Sequence, residues 1–477
     1  MNNHLKVFLR RIDWHLPGIV AFFLFVTIFY SGINYNGPFI DESFYSYAPR
    51  LGNVFYITGD VRLWPELSNL ANIAGGFLAA RLLSAIFGAA TAAFIYQFAR
   101  MFVRKASPDV SERKAAFYAA IIFSASAPVV FANTIAGYDS LSFMLLSLGL
   151  WLTAKGFDRG SGRTLILAAF SLAMAAASRY VTHLYLPVAA LIGLYFAYTN
   201  KRYWLLQYLW GGMIFFSGLY WAFEHRHILA AVAHARNDAL QVLATKLSYV
   251  VIIKEVFWRG GPAVVLALAE MSFCTYRLIW RKENLALGET VIFFAGFPII
   301  LYHLASGNNF AMNRNLYLAV MFLSIPAGIF LCRISEITRK LQYIIVPVII
   351  FSALNLSARP LKIDRQWPDW RPVITAAKDL GLGSAGSVWS TARGGNLGNV
   401  WLLRSELGVN VDYTSPWKAA SPEDLVSLAH SSGVEVIVGP FPSHDLKEGS
   451  LLGGYRVIKA IPVTNGPKAY ILIKLER

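Results

Sequence analysis

Charge is scarce in this chain. Asp, Glu, Lys and Arg make up 15% of its 477 residues, against roughly a quarter in an ordinary soluble domain, which argues against a water-soluble globule. Cysteine is scarcer: Cys274 and Cys332 lie at the inner ends of separate apolar segments and the long C-terminal region has none. No disulfide framework therefore supports an exported fold. Internal repeats, low-complexity tracts and heptad runs are also missing, which argues against solenoids and coiled coils. The glycine-rich stretch Gly394-Gly395-Asn396-Leu397-Gly398 lacks the spacing and the lysine of a nucleotide loop, and reads as a turn.

What the chain has in abundance is apolar surface. Hydrophobic residues make up 56% of it, and the mean hydropathy is +0.48. A polytopic membrane protein follows. The 33 Phe, 23 Tyr and 13 Trp are what lipid-facing helices with interfacial belts require, and they point to no cofactor.

Apolar stretches long enough to cross a hydrocarbon core recur at 15–33, 75–99, 115–132, 139–154, 164–178, 180–198, 204–222, 261–279, 287–303, 315–332 and 342–357. The expectation is eleven transmembrane helices. The first follows a basic stretch, MNNHLKVFLRR, with no small-residue cleavage site, so it reads as a retained helix rather than a signal peptide. A formal charge of +16 invites a nucleic-acid reading, but the basic residues crowd into short loops. Lys6, Arg10, Arg11, Arg104, Lys105, Arg113, Lys114, Lys155, Arg159, Arg163, Lys201, Arg202, Arg277, Arg281, Lys282, Arg333, Arg339 and Lys340 fall on alternate connections, which marks those as cytoplasmic. No nucleic acid is expected. The outward segments are then 34–74, 133–138, the link at Arg179, 223–260, 304–314 and everything after 357.

After residue 357 the apolar runs shorten, and Gly, Pro, Asp and Ser increase. The expected organisation is a membrane domain over 1–357 and a small α/β domain over 358–477 on the outer face. Ser421-Pro422-Glu423-Asp424 carries a helix N-cap, a proline at the first position and acids in the first turn. Val434–Val438, Tyr455–Val463 and Lys468–Leu475 read as strands, the last two joined by Thr464-Asn465-Gly466-Pro467.

Carboxylates beside hydrocarbon are costly, so their recurrence at one face marks a functional site. Asp41 and Glu42 follow the first helix and are suited to serve as a general base toward an attacking hydroxyl, although a solvated helix N-cap explains them equally well. Asp139, in Tyr138-Asp139-Ser140, opens a helix, where an Asp N-cap is a common structural device, but its expected place on the outer face lets it flank one cavity with Asp41, and it is read with Asp41 and Glu42 as a candidate catalytic carboxylate. Arg179 puts a cation in an outward link, against the charge bias, and Arg314 opens a late helix close to Tyr317. A guanidinium fork suits phosphate. Ion pairing with Asp41, Glu42 or Asp139, or snorkelling to headgroups, is the structural alternative. Arg81, inside the second helix, reads as half of a buried ion pair, and Glu66 as a further carboxylate at a cavity rim. His225 and His227, with Glu224, His234 and Asp238 nearby, offer ligands for a divalent metal ion, although a solvated polar loop accounts for them better.

The order of these features resembles the GT-C superfamily of membrane glycosyltransferases, in particular the branch of protein O-mannosyltransferases and lipid A aminoarabinose transferases. The resemblance rests on the acidic pair Asp41-Glu42 and on Ala-Arg-Leu-Leu-Ser-Ala-Ile-Phe-Gly at residues 80–88. It rests also on Tyr138-Asp139-Ser140, on Arg179 between two helices and on Arg314 with Tyr317, and it covers most of residues 10–357 and extends to the C-terminal domain. It implies a polyprenyl-phosphate-linked sugar donor and inverting transfer to a hydroxyl of a glycolipid, polysaccharide or protein. The setting would be the outer face of a bacterial inner membrane, in cell-envelope glycan or lipopolysaccharide modification. Asp41 would be the base, and Arg179, Arg314 and Tyr317 would hold the donor phosphate. Where the family has an acidic-Lys-Pro-Pro stretch, this chain reads Pro65-Glu66-Leu67-Ser68-Asn69, with no lysine. A transporter or flippase of polyprenyl-linked glycans is the alternative, and it predicts mid-membrane charges and inverted repeats. A noncatalytic envelope scaffold would tolerate a neutral residue at position 41.

Overall fold

A computed structural model describes residues 13–33, 42, 46, 63–223, 247–281, 286–307, 312–337, 342–364, 368–391, 397–409, 411–412, 421–441, 445–464 and 466–475. The chain divides into two compact units. The first comprises Met1–Ile33, Phe55–Trp64 and Arg81–Leu361, and the second Asn34–Val54, Pro65–Ala80 and Lys362–Arg477.

The first unit is helical. Each apolar stretch expected from sequence falls on helix, but the ends and the continuity differ. Among the described residues, six helices are long and apolar enough to cross a bilayer: Leu63–Ala106, Asp139–Arg159, Tyr180–Thr199, Tyr249–Trp280, Leu287–Ser306 and Met312–Ile337. A seventh span results if the pair Glu112–Ala125 and Ala127–Thr134, bent by 60°, counts as one. His15–Tyr30, Gly162–Ser178 and Tyr343–Leu356 are apolar but shorter, and 206–223 is helix as well.

The breaks have local causes. Ser126 adopts extended backbone (ψ 139°) just before Pro128, which has no N–H to continue the preceding helix. Gly76 at φ 66° kinks the long helix, and Gly261 at φ 49°, followed by Pro262, kinks Tyr249–Arg281. Both φ values lie where a side chain would be strained.

Small residues set the helix spacing. A Cβ on Gly328 would sit 2.6 Å from the Ala119 backbone nitrogen, so the helix Met312–Ile337 packs backbone-close against Glu112–Ala125, as small residues allow in membrane bundles. The helix so enclosed is largely buried and carries Tyr317 at 0% exposure. Around the unit, Phe29, Ile214, Phe215, Val250 and Trp280 stand open; on a membrane protein this is the lipid-facing surface.

The second unit contains a six-stranded sheet of β1 (Val388–Ser390), β2 (Val411–Asp412), β3 (Val436–Pro440), β4 (Leu451–Leu452), β5 (Tyr455–Ile461) and β6 (Ala469–Lys474). The order is β2-β1-β3-β6-β5-β4. The β1–β2 and β1–β3 pairs are parallel and the others antiparallel. Strand alternation sends Val436 and Val438 to one face, against the helices Arg371–Asp379 and Leu397–Leu407. Ile437 goes to the other face, with Leu425, Val426 and Ala429 of the helix Pro422–Ser431. The expected Ser421 cap forms, its hydroxyl accepting from the Asp424 amide at 3.1 Å. The expected strands correspond to β3, β5 and β6. The two short strands β1 and β2 and the first two helices had no readable signal. The helix Gln342–Asp364 runs past the boundary expected at residue 357.

Candidate functional site

Three helix ends meet around one carboxylate in the first unit. Asp139 is the first residue of Asp139–Arg159 and is 1% exposed. Arg179 follows the last turn of Gly162–Ser178 in extended backbone, φ −157° and ψ 119°, which swings its side chain out of the helical path. It too is 1% exposed. Arg314 lies in the first turn of Met312–Ile337.

Asp139 Oδ1 lies 2.8 Å from Arg179 Nη1, and its Oδ2 lies 3.7 Å from Arg314 Nη1. Arg179 Nη2 donates to Asn315 Oδ1 at 2.5 Å, and Asn315 Nδ2 donates in turn to His303 Nε2 at 3.1 Å. The guanidinium lies 5.0 Å from the Phe143 ring and 5.8 Å from that of Tyr138, distances at which ring faces attract a cation. Among the described residues its Nε has no hydrogen-bond acceptor, and the 2.8 Å contact of Nη1 with Asp139 is out of line for a hydrogen bond. A buried guanidinium with unused N–H groups is costly. An anionic oxygen would relieve that cost.

Beneath this cluster, Tyr317 stacks on Phe143 at 3.9 Å between centroids, and its hydroxyl accepts from Asn133 Nδ2 at 3.4 Å. Tyr317 thus holds the floor of the cluster rather than opening to solvent. Ser84 and Ser140 hydroxyls meet at 2.7 Å, tying the second span to the helix that Asp139 opens.

The residues singled out in the sequence therefore divide into groups. Asp139, Arg179 and Arg314 come together, with Tyr317 below them. Arg81 is 3% exposed and donates from Nη1 to the Ile33 carbonyl at 3.1 Å, so it fastens the second span to the end of the first helix. Glu42, buried, and Glu66, exposed, belong to the second unit. Asp41, His225 and His227 lie outside the described residues. Asp139 is the cluster's own carboxylate and both its oxygens face guanidinium groups, so these residues do not suit a divalent cation; the metal expectation rests on His225 and His227. Sequence reasoning missed Asn315, His303, Phe143 and Asn133. Of these, Asn315 sits beside the singled-out Arg314, while Phe143 and His303 had no sign beyond their apolar helices.

Residues 70–221 match the family model described as dolichyl-phosphate-mannose-protein mannosyltransferase. No curated protein matches by sequence. Among solved structures, the chain is similar to ArnT from Cupriavidus metallidurans bound to undecaprenyl phosphate, at 12% identity, with 95% of this chain and 97% of that one covered and a TM-score of 0.53. It is also similar to the oligosaccharyltransferase AglB from Archaeoglobus fulgidus in complex with an inhibitory peptide and a dolichol-phosphate. There the identity is 10%, 89% of this chain and 69% of that one are covered, and the TM-score is 0.56.

Proposed function

We propose that this chain, whose fold is that of the GT-C superfamily of membrane glycosyltransferases, transfers a sugar from a polyprenyl-phosphate-linked donor to an acceptor hydroxyl, with inversion. The observation that carries the reading is the buried Arg179, whose Nε lacks an acceptor among the described residues where three helix ends converge on Asp139. It is supported by a fold shared along nearly the whole length of a protein solved with undecaprenyl phosphate.

In this reading the donor's prenyl tail stays in lipid and its phosphate reaches Arg314 and Arg179. Asp139 orients both guanidinium groups, and Phe143, backed by Tyr317, supports the second. The acceptor oxygen forms a bond to the anomeric carbon as the bond from that carbon to the phosphate oxygen breaks. Polyprenyl phosphate leaves with the electron pair, and the arginines stabilise the charge that develops on it. Asp41 takes the acceptor's proton, with Glu42 beside it. The work is done on the outer face of a bacterial inner membrane, on an envelope glycan or lipopolysaccharide, and the C-terminal α/β unit lies on that face.

The test is the purified chain in lipid nanodiscs with a radiolabelled polyprenyl-phosphate sugar and a panel of glycolipid, polysaccharide and protein acceptors. Transfer with release of polyprenyl phosphate is expected, and Asp41→Asn should abolish it without changing the melting temperature. Movement of intact donor across the membrane without release would indicate a flippase instead. Full activity in Asp41→Asn would remove Asp41 from the mechanism.

A further inference from the structure

A second polar cluster lies in the same helical unit, far from Arg314. Arg333 is nineteen residues farther along the helix Met312–Ile337, roughly 28 Å at a rise of 1.5 Å per residue. It meets Glu270 of the helix Tyr249–Arg281, Nε to Oε1 at 3.0 Å, and Glu289 of Ala286–Phe294, Nη2 to Oε1 at 3.0 Å. Cys274, one turn after Glu270, donates to Glu289 Oε2 and lies 3.6 Å from Glu270 Oε1. Glu270, Cys274 and Glu289 are 0%, 1% and 3% exposed.

The arrangement is incompletely satisfied. Arg333 engages one oxygen of each glutamate, which leaves Glu270 Oε2 buried with no hydrogen-bond partner among the described residues. Two buried carboxylates face one guanidinium, so Arg333 alone does not balance both when they are ionised. Asp109 does not alter this, because it meets Arg277 at 3.3 Å as well as Arg333. Ser107 donates to Glu289 Oε1 and brings no charge.

We propose that Glu270, Cys274 and Glu289 form a site for a divalent cation that accepts thiolate and carboxylate together, zinc above all. One ligand atom from each of the three lies within 4.8 Å of the others. Around a tetrahedral zinc, with bonds of about 2.1–2.3 Å, such atoms sit roughly 3.5 Å apart, so rotamer adjustments close the site. Glu270 Oε2 gains its missing partner. Cys274 releases its proton to solvent as it becomes a thiolate ligand. Two carboxylates, one thiolate, the cation and Arg333 then sum to zero, as a buried cluster prefers. Thiolate with carboxylate selects zinc over calcium or magnesium, which favour oxygen alone. The ion clamps together Tyr249–Arg281 and Ala286–Phe294 beside Arg333, leaving the Arg179 cluster untouched.

The test strips the full-length chain in detergent with a chelator and titrates it with zinc and, separately, with cobalt. The expected result is one ion per chain, a thiolate-to-cobalt charge-transfer absorption and a higher melting temperature with zinc. Cys274→Ser should lose the absorption, and Glu270→Gln should weaken zinc binding at least about tenfold. Cys332→Ser should leave both unchanged. A wild-type chain without the cobalt absorption overturns the proposal even if the Cys274 variant fails to fold. So does an absorption that survives Cys274→Ser.

Discussion

Arg179 ends one helix and Asp139 begins another, and their side chains meet at 2.8 Å with about 1% exposure each. Neither charge is tolerable there without the other. Removing one partner of such a pair costs about 3–5 kcal/mol because an uncompensated charge stays behind. Asp139→Asn should therefore lower the melting temperature markedly, and Arg179→Gln likewise. The double variant should be less destabilised than the sum of the two. A double-mutant cycle from thermal unfolding in detergent measures this coupling, and additive losses would show that the pair does not interact.

Arg314 stands farther from the same carboxylate, at 3.7 Å, with 13% of its side chain exposed. It should matter more for ligand than for fold. A hydrogen bond to a charged group contributes about 1.5–3 kcal/mol, so Arg314→Ala should weaken donor binding roughly 10- to 150-fold while shifting the melting temperature less than Asp139→Asn does. Affinity for a non-hydrolysable polyprenyl-phosphate analogue, measured by calorimetry in nanodiscs, checks this. Unchanged affinity would take Arg314 out of the phosphate site.

How much of this was legible in the sequence depends on the physics involved. Helices in lipid satisfy their own backbone, so hydropathy located the apolar helices of the described residues, including the short Gly162–Ser178. It could not show that Ser126 and Pro128 bend a pair by 60°, since that depends on local dihedral angles rather than apolar length. Arg179 was readable because a cation in a link expected to face outward breaks the charge bias. His303 was not, because its contact with Asn315 depends on how two helices pack. In the C-terminal unit, the Ser421 cap and the alternating β5 and β6 carry local signals, whereas β1 and β2 have three and two residues, too few for a period to be read.

Gly88 gives a steric prediction from the stretch at 80–88. A Cβ there would lie 2.3 Å from Asn133 Oδ1 and 2.5 Å from Phe23 Cζ. Asn133 is the residue that reaches the Tyr317 hydroxyl. Gly88→Ala should therefore cost about 1–3 kcal/mol from overpacking and should also reduce turnover by displacing Asn133 under the arginine cluster. Phe23→Leu, which gives back space at one of the two contacts, should recover part of the stability. Melting curves with a transfer assay read both effects, and a neutral Gly88→Ala would show that the helices move apart freely at this point.

The second unit carries its own dependence on acid. Asp369 is 6% exposed. Burial pushes its carboxyl pKa upward, but the hydrogen bonds and charge of Arg371 outweigh that and hold it below the usual carboxylate value. Both oxygens accept from Arg371, Oδ1 at 2.9 Å and Oδ2 at 2.6 Å, while the Asp369 backbone bridges to Thr464. A carboxylate whose folded pKa is depressed stabilises the fold above its unfolded pKa of about 3.9. That contribution is lost as pH falls through the lower folded value. The stability difference between wild type and Asp369→Asn should therefore be flat from neutral pH down to about 5, and should shrink only in stronger acid. Because the Arg371 side chain is 65% exposed, solvent screens the pair and the difference should be modest. Unfolding of the C-terminal unit, followed by hydrogen exchange at β6 across this pH range for both proteins, tests the sign. A gap that widens on acidification would mean that burial, and not Arg371, dominates at this carboxylate.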